Sequence, residues 1–332
     1  MKNSQLRKIK NLIKTNDELA YRLKALTLRV SNFSTRFISD DEYIKKQYKR
    51  KSGRELDLDK PVLYNEKIQW LKLNYRNPLL NKCVDKYEVR KYVKSKIEDA
   101  ESILIPIIGV YNSVDEIDFK NLPDSYILKL TNGSSFNYIC FENSPKEIRK
   151  IKSRFKKWVN LNYYSIGREW AYKNVKNRIL CEELLITSTG NPPEDYRFFC
   201  FNGEVKIIAV DLESVIDGVK NSNYYRNLYD KNWNMINGTI EYPNKLDLEI
   251  PKPAKLKEMV DAAEKLSADF PAVRVDFYYF DNKFYFGELT FTNQAGFDRI
   301  TPYEFDVELG KYFDIKKETN NANMCSSIKK GN

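Results

Sequence analysis

Two kinds of hydrophobic spacing alternate along the 332-residue chain. Apolar residues at intervals of three and four predict amphipathic helices, because 3.6 residues make one helical turn. We predict helices over about 4–30, from Ser39, from Asn65, from Asp85, from Ser144 to Trp158, over 254–269 and over 303–313. The first of these is basic and amphipathic, and it either packs on the body of the protein or contacts a partner or a membrane surface.

Short runs of β-branched and aromatic residues predict strands between these helices. They cover 103–111, 126–131, 137–141, 178–186, 195–201, 204–212, 273–280 and 284–291. The dipeptide Asn202-Gly203 is the favoured turn of a tight hairpin, and 281–283 forms a three-residue loop in a second hairpin. The mixture predicts an α+β protein with antiparallel hairpins.

The second hairpin carries the clearest candidate chemistry. Side chains alternate faces along a strand, and the three-residue loop places Asp276 opposite Glu288 and Arg274 opposite Thr290. Two opposed carboxylates about 5 Å apart repel each other unless a cation lies between them. A divalent metal would bind there, with Arg274 beside it to stabilise a transferring phosphoryl group. Alternatively, Arg274 neutralises two structural acids.

A second candidate is Lys129, which lies between two leucines inside a predicted strand and therefore needs an anionic partner. The loop Asn132-Gly133-Ser134-Ser135 follows, and its small residues allow backbone amides to approach phosphate oxygens. Such a loop is also typical of an ordinary turn. Neither a Walker motif nor a GxGxxG fingerprint occurs in the chain.

A third candidate lies at the end of the strand 178–186, where Glu182 and Glu183 precede two leucines. Their carboxylates would accept hydrogen bonds from a ribose or from the amino group of adenine. They are equally consistent with solvated charges at a strand end.

The chain has no histidine, which excludes a Ser–His–Asp triad, a histidine base and histidine metal ligands. The remaining chemistry rests on carboxylates, lysines, arginines and backbone amides. Oxygen ligands favour Mg²⁺ or Mn²⁺ over zinc.

The net charge of +10 suggests an anionic partner, although acidic residues accompany the basic ones along most of the chain. A solvated basic surface explains the charge equally well. Because zinc-finger spacing and RNA-binding aromatic motifs are absent, we do not expect a nucleic-acid partner.

Five cysteines, an odd number without a CxxC pair, fit a reducing cytoplasm. The basic N-terminus lacks the apolar stretch of a signal peptide, and no apolar run of 18 residues occurs. We therefore expect a cytoplasmic protein, with residues 1–35 as a contact to a partner or to the inner face of the membrane.

Taken in order, the motifs of this chain resemble the ATP-grasp superfamily and, more closely, its TupA-like branch, named for teichuronopeptide biosynthesis. The resemblance extends from Asp40 to Asp314. It rests on YNEKIQWLKL (64–73), VDKYEVRKYV (84–93), YILKLTNGSS (126–135), EELL (182–185), DYRFFCFNG (195–203), RVDFYYF (274–280) and GELTF (287–291).

The resemblance implies an ATP-grasp fold, in which ATP is held between two α+β lobes with antiparallel sheets, preceded by a helical extension. The implied division is an N-terminal helical extension (1–60), an N-terminal lobe (61–125), a small lobe (126–187), a C-terminal lobe (188–315) and a flexible tail (316–332).

The resemblance also implies site residues. Lys86 and Lys129 match lysines that contact the ATP phosphates, and Arg274 matches the arginine at the transferring phosphate. Asp276 and Glu288 match metal-binding carboxylates. The remaining implied nucleotide contacts are the flap residues Gly133, Ser134 and Ser135, the hinge residues Glu182, Glu183 and Leu185, and Asp195 and Arg197, which lie on the nucleotide or substrate side.

Two departures from the family pattern affect these assignments. Many members have Asn two residues after the metal-binding Glu, where this chain has Thr290, so either Thr290 or Asn293 is the further metal ligand. The flap of the branch resembles His-Gly-Ser-Gly, whereas this chain has Asn132 in place of the histidine.

The implied activity is that of an ATP- and Mg²⁺-dependent carboxylate–amine ligase, with Mn²⁺ as an alternative metal. It would join an amine or amino acid to an acidic sugar, such as a uronic acid, of a cell-surface polysaccharide. Three alternatives remain open from the residues. They are a metal-dependent glycosyltransferase, for which Asp57-Leu58-Asp59 is the only DxD candidate, a basic nucleic-acid-binding module, and a kinase-like enzyme that stops after phosphoryl transfer.

Overall fold

The computed structural model describes residues 37–142, 147–188, 190, 192–212, 215–216, 219–220 and 224–315. The helix predicted over 4–30, the start predicted at Ser144 and the predicted tail beyond 316 lie outside these ranges. Within them, no helix has the length and apolar character needed to cross a membrane.

The described residues form eight α-helices, most of them at the predicted places. Their bounds are α1 Asp40–Ser52, α2 Tyr64–Asn74, α3 Leu79–Cys83, α4 Val89–Lys96, α5 Ile148–Trp158, α6 Tyr164–Gly167, α7 Leu256–Ser267 and α8 Tyr303–Lys311. The predicted start at Ser39 is confirmed, because the Ser39 side chain accepts a hydrogen bond from the backbone N–H of Glu42 and caps α1.

One predicted helix start was wrong. The helix expected from Asp85 begins at Val89. The side chain of Asp85 accepts hydrogen bonds from the N–H groups of Tyr87, at 2.8 Å, and Glu88, at 2.9 Å, and so stabilises a turn before the helix.

The strands are β1 Ile107–Tyr111, β2 Tyr126–Leu130, β3 Asn137–Cys140, β4 Ile179–Glu183, β5 Glu194–Phe201, β6 Glu204–Leu212, β7 Val215–Ile216, β8 Val219–Lys220, β9 Tyr225–Tyr229, β10 Thr239–Ile240, β11 Ala272–Phe280, β12 Lys283–Thr290 and β13 Ile300–Thr301. Eight of the strands lie where the pattern predicts them, whereas the short strands β7, β8, β9, β10 and β13 were not predicted. The strand predicted from 103 starts only at Ile107, because Pro106 has no N–H to donate and Ile103 bonds instead to Phe286 of the other sheet.

A four-stranded antiparallel sheet in the order β1-β4-β2-β3 forms the smaller layer. Helix α5 covers one face, where Ile151 and Phe155 pack in a core with Leu128. Because neighbouring side chains alternate, Ile127 and Lys129 point to the opposite face.

A five-stranded antiparallel sheet in the order β12-β11-β5-β6-β9 forms the larger layer. Helix α7 packs on one face, where Met259 and Leu266 join Phe198 in the main core. Helices α2 and α8 pack on part of the other face, around Phe199 and Phe305. The rest of that face is left for the charged side chains of the site. The α+β class with antiparallel sheets is therefore confirmed.

The two hairpins test the turn predictions. Asn202 and Gly203 have φ of 51° and 81°, as the predicted two-residue turn requires. The three-residue loop predicted at 281–283 was wrong, because only Asp281 and Asn282 form the turn and Phe280 pairs with Lys283.

A bulge between Asp276 and Phe277 nevertheless restores the predicted pairing of Asp276 with Glu288. Gly287 is the extra residue of this bulge. A Cβ at Gly287 would lie 3.1 Å from the carbonyl oxygen of Asp276, so the close approach of the two strands at the bulge favours glycine.

One stability prediction follows from Asp306, whose side chain accepts a 3.1 Å hydrogen bond from the N–H of Tyr64 at the start of α2. Burial raises the pKa of Asp306 to about 6. The folded chain therefore binds this proton more tightly than the unfolded chain does, and stability falls as the pH rises from about 4 to about 6.

Asp306→Asn keeps the acceptor oxygen and removes the titration. We expect it to be more stable than the wild type by about 1–2 kcal/mol at pH 7.5 and to show no advantage near pH 4, measured by urea unfolding. Glu304→Gln, an exposed change on the same helix, is the control. A difference between Asp306→Asn and wild type that does not vary with pH would contradict this account.

Candidate active site

A cleft lies between the two sheets and contains two adjoining cavities, of about 300 Å³ and about 310 Å³. The first is the more apolar of the two and is lined by Ile105, Ile127, Ile139, Leu184, Leu185 and Pro193 among others. The second is lined by Lys86, the flap, Asp276 and Glu288. Residues common to both cavities, including Lys129 and Arg197, join the apolar end of the cleft to the charged end.

At the charged end, Lys86 is held by the flap. Its Nζ donates to the carbonyl oxygen of Gly133 at 2.6 Å and lies 3.8 Å from a carboxylate oxygen of Glu288. Burial lowers the pKa of Lys86, although the charge of Glu288 opposes this shift. A half-buried ammonium with one backbone acceptor and one distant carboxylate has bonding capacity left for an anion.

Lys129 has a closer partner. Its Nζ lies 2.8 Å from Glu182, and Arg90 lies 3.5 Å from the same carboxylate. Burial alone would lower the pKa of Lys129, but the charge of Glu182 holds it above its usual value. The structure thus provides the anionic partner that the strand position required, and it identifies Glu182 as that partner.

The hinge residues therefore differ in their surroundings. Glu182 is buried between Lys129 and Arg90, whereas Glu183, Leu184 and Leu185 line the apolar cavity. Of the two acids, Glu183 is the one placed to meet a ligand in that cavity. The ribose and adenine roles of the hinge stay predictions.

The flap has the backbone expected of a loop that approaches a ligand closely. Gly133 has a φ of 96°, and a Cβ there would lie 2.7 Å from the ring of Tyr163. Ser134 and Ser135 are exposed at the cavity. Asn132 is buried instead and donates to the carbonyl of Val175 at 3.2 Å, so its amide does not project from the flap.

The four predicted metal ligands surround one cation, the guanidinium of Arg274. Its Nε and Nη2 each lie 2.6 Å from an oxygen of Asp276. Nη2 lies 3.1 Å from the hydroxyl of Thr290 and 3.7 Å from Glu288. Nη1 donates to the amide oxygen of Asn293. Both Thr290 and Asn293 are thus adjacent to the carboxylates.

The charges around this guanidinium shift the two carboxylates differently. Burial raises the pKa of Asp276 even though Arg274 is bonded to it. Burial acts in the same direction on Glu288, but Lys86 and Arg274 outweigh it and lower the pKa of that carboxyl. Glu288 is therefore the acid whose ionised form the surroundings favour.

Two carboxylates, a hydroxyl and an amide oxygen that already converge on a cation fit a hard divalent ion such as Mg²⁺ or Mn²⁺. In the part of the chain that the structure describes, His, Cys, Asp and Glu side chains nowhere form a metal cluster of three or more. An ion here would therefore need the neutral oxygens of this hairpin, water or a phosphate in addition to Asp276 and Glu288.

Arg197 belongs to a network of ion pairs that was not predicted from the sequence. Arg197 lies 2.8 Å from Asp211 and 3.1 Å from Asp195. Arg226 donates to both oxygens of Asp211, at 2.5 Å and 3.0 Å. These charges hold the pKa of Asp211 below its usual value despite burial and raise that of Arg197.

The signals for this network were weak but present. Asp211 follows the apolar run Ile207–Val210 of β6, Arg226 is the one charged residue of the short strand β9, and the two lie opposite each other in the register. Tyr278, which lines both cavities two residues after Asp276, was also missed.

The cleft between two antiparallel α+β layers is the architecture expected of an ATP-grasp protein. The model of the family described as TupA-like ATPgrasp matches residues 66–314, three quarters of the chain. The chain therefore belongs to the TupA-like ATP-grasp family. Both the resemblance noted in the sequence and the ATP-grasp fold are confirmed.

Solved structures similar to this chain are distant. D-alanine–D-alanine ligase from Bacillus anthracis, complexed with ATP, is 15% identical with a TM-score of 0.37, over 64% of this chain and 55% of that one. The ATP-grasp ligase PsnB, complexed with a precursor variant, Mg and ADP, is 12% identical with a TM-score of 0.38, over 79% and 65%. The D-alanine–D-alanine ligase of Helicobacter pylori is 14% identical with a TM-score of 0.37, over 76% and 67%.

The chain spans less than two thirds of the length of the first two of these structures. No curated protein sequence matches it.

One prediction concerns the charge network. Asp211→Asn leaves the fully buried guanidinium of Arg226 and the half-buried guanidinium of Arg197 without their shared carboxylate, so we expect a loss of about 3–5 kcal/mol in the free energy of unfolding. Asp195→Asn removes a carboxylate that is partly exposed and contacts Arg197 alone, and we expect a loss below about 1 kcal/mol. Urea unfolding of both variants measures the difference, and equal losses would show that the network is not a buried unit.

Proposed function

We propose that this protein is an ATP-dependent, magnesium-requiring carboxylate–amine ligase that forms an amide through an acyl phosphate. One observation carries the proposal. The more apolar cavity, at one end of the cleft, leads past Lys129 and Arg197, which line both cavities, to Lys86, Asp276 and Glu288 at the other end. An adenine at the apolar end would extend its triphosphate toward these charges.

The proposed nucleotide contacts follow this direction. Glu183 and Leu185 would contact the adenosine, while Asp195 and Arg197 lie midway along the cleft. Gly133, Ser134 and Ser135 would offer backbone amides to the phosphates. Lys86 and Lys129 would neutralise phosphate charge, with Glu182 keeping Lys129 protonated and oriented.

Asp276 and Glu288 would hold the metal, together with Thr290 or Asn293. A bound Mg²⁺ would supply charge neutralisation at the phosphate oxygens. Mn²⁺ offers the same coordination chemistry. Arg274, which contacts all four of these side chains, is within reach of a phosphoryl group at the same place.

The proposed reaction needs no nucleophile from the protein, which suits a chain without histidine. A substrate carboxylate attacks the γ-phosphorus of ATP, the bond to the β-phosphate oxygen breaks, and an acyl phosphate and ADP result. An amine then attacks the acyl carbon, phosphate leaves, and the amine loses its proton. The residues of the cleft hold the reactants in place and stabilise the phosphoryl charge.

The substrate class rests on membership of the TupA-like family. We propose an acidic sugar, such as a uronic acid of a cell-surface polysaccharide, joined to an amine or amino acid. The net charge of +10 favours an anionic substrate. The free thiols of Cys83, Cys140, Cys181 and Cys200 are compatible with a reaction in the reducing cytoplasm.

The domain division expected from the sequence is part of the proposal. Residues 61–125 would form the N-terminal lobe, 126–187 the small lobe with β2, β3 and β4, and 188–315 the C-terminal lobe with the larger sheet. ATP would then bind where the small and C-terminal lobes face each other.

The position of the DxD candidate, Asp57-Leu58-Asp59, argues against the glycosyltransferase alternative. The carboxylate of Asp57 accepts hydrogen bonds from the N–H groups of Asp59, at 2.9 Å, and Lys60, at 2.8 Å. The motif therefore stabilises an exposed turn, and neither of its aspartates lines the cleft.

The nucleotide part of the proposal predicts that ADP with Mg²⁺ raises the melting temperature of the wild type, because ligand at 100 times its dissociation constant adds about 2.7 kcal/mol. Glu288→Gln should lose the Mg²⁺-dependent part of the rise, and Glu304→Gln, an exposed change far from the cleft, should keep it. Thermal unfolding with ADP or UDP-sugars, with and without Mg²⁺, measures this. A rise with UDP-sugars alone would favour the glycosyltransferase.

The acyl-phosphate step is tested by hydroxylamine, a small amine that converts an acyl phosphate to a hydroxamate. With ATP, Mg²⁺ and an oligosaccharide of glucuronic acid, we expect one hydroxamate for each ADP formed, whereas the neutral oligosaccharide should yield none. Colorimetric assay with iron(III) and coupled ADP detection measure the two products. ADP formed equally with the neutral sugar would contradict the proposed reaction.

A further inference from the structure

Helix α2, the YNEKIQW motif of the sequence, buries three polar side chains on one face. Asn65, Gln69 and Lys72 are 6%, 0% and 4% exposed, and their spacing of four and three residues places them along one side of the helix. None of the three lines the two cavities of the cleft. Buried polar groups of this kind require specific partners.

Their partners are backbone carbonyls of one segment, residues 292–298, here called the site loop. Gln69 donates to Gly296 at 2.5 Å and to Ala295 at 3.1 Å. Lys72 donates to the same carbonyl of Ala295 at 2.8 Å. Asn65 donates to the carbonyl of Asp298 at 2.8 Å, so all three side chains bind the loop.

The site loop has a backbone that needs such support. Gln294, Ala295 and Gly296 have φ of 45°, 57° and 76°, three successive left-handed residues of which two carry side chains. A Cβ at Gly296 would lie 2.6 Å from the amide nitrogen of Gln69, so glycine allows the loop to approach α2. Strained backbone of this kind persists where its surroundings hold it.

The second residue of the site loop is Asn293, a candidate metal ligand. The amide oxygen of Asn293 accepts from Arg274, and its amide nitrogen donates to the carboxylate of Asp298 at 2.5 Å. The same Asp298 is bonded through its carbonyl to Asn65. A continuous set of hydrogen bonds thus leads from α2 through the loop to the guanidinium beside Asp276.

We propose that Gln69 and Lys72 are positioning residues of the metal centre: by holding the carbonyls of Ala295 and Gly296, they aim the amide oxygen of Asn293 at the site where Arg274 and Asp276 meet. This inference rests on the proposed function and makes Asn293, rather than Thr290, the neutral metal ligand. It also gives the YNEKIQW motif a function outside the nucleotide cleft.

The chain offers a matched control on the same helix. Lys67 also donates from α2 to two backbone carbonyls, those of Gly310 and Phe313, at 2.5 Å and 2.7 Å, and it lies over the ring of Phe313. Lys72 lies in the same way over the ring of Phe297. Lys67→Met and Lys72→Met therefore each remove an ammonium that is bonded to backbone carbonyls, near the end of α8 and at the site loop respectively. Lys72 is the more buried of the two and also donates to the side chain of Gln69 at 2.8 Å.

The experiment titrates each protein with Mn²⁺ in the presence of ADP and follows free Mn²⁺ by electron paramagnetic resonance, with thermal unfolding as a measure of stability. We expect Lys72→Met and Gln69→Met to bind Mn²⁺ about tenfold more weakly than Lys67→Met, as is typical when the partners of metal ligands are lost. ADP binding without metal should be equal in all variants.

Equal Mn²⁺ affinity in Lys72→Met, Gln69→Met and Lys67→Met, with normal binding by the wild type, would overturn the positioning role and leave the proposed function intact. A wild type that binds no Mn²⁺ with ADP would overturn both. If Lys72→Met does not fold, the Mn²⁺ affinity of Gln69→Met decides the question. We expect Gln69→Met to fold, because Lys72 still donates to the carbonyl of Ala295 in that variant.

Discussion

Two carboxylates on neighbouring strands require a cation between them, and the other charged residues of the cleft are positioned by this requirement. Asp276 and Glu288 face each other across the β11–β12 hairpin, and the guanidinium of Arg274 lies among their oxygens. Like charges at this separation destabilise a sheet unless they are neutralised. The same oxygens that bind the arginine form a suitable ligand set for a divalent ion, so the proposed metal would share its partners with the guanidinium.

The larger sheet extends this alternation of charge across its strands. Asp276 pairs in register with Arg197, and Arg197 contacts Asp211, which binds Arg226 on β9. Each buried charge thus has a partner of opposite sign on a neighbouring strand, as burial demands. Helix α2 adds the remaining support through the site loop. The charged end of the cleft is therefore bonded to the sheet on one side and to a helix on the other, as a preorganised site requires.

Much of this architecture was predictable from local pattern, because strand alternation and helical spacing depend on residues near one another. The pairing of Asp276 with Glu288 was predicted correctly, although the predicted turn was wrong. The turn has two residues instead of three, and the extra residue of the bulge, Gly287, restores the register. The network of Asp211 and Arg226 could not be predicted in the same way, because it depends on which strands become neighbours. Long-range pairing decides such contacts, and a charged residue beside an apolar run is only a weak sign of them.

The most direct test of the account is a crystal structure of the protein with Mg²⁺ and a non-hydrolysable ATP analogue. The account predicts electron density for the adenine beside Leu185, for the triphosphate near Lys86 and Lys129, and for a metal ion bound by Asp276 and Glu288. It also predicts that Arg274 exchanges part of its contact with Asp276 for the terminal phosphate. A nucleotide bound outside the cleft, or a metal ion that does not touch either carboxylate, would contradict it.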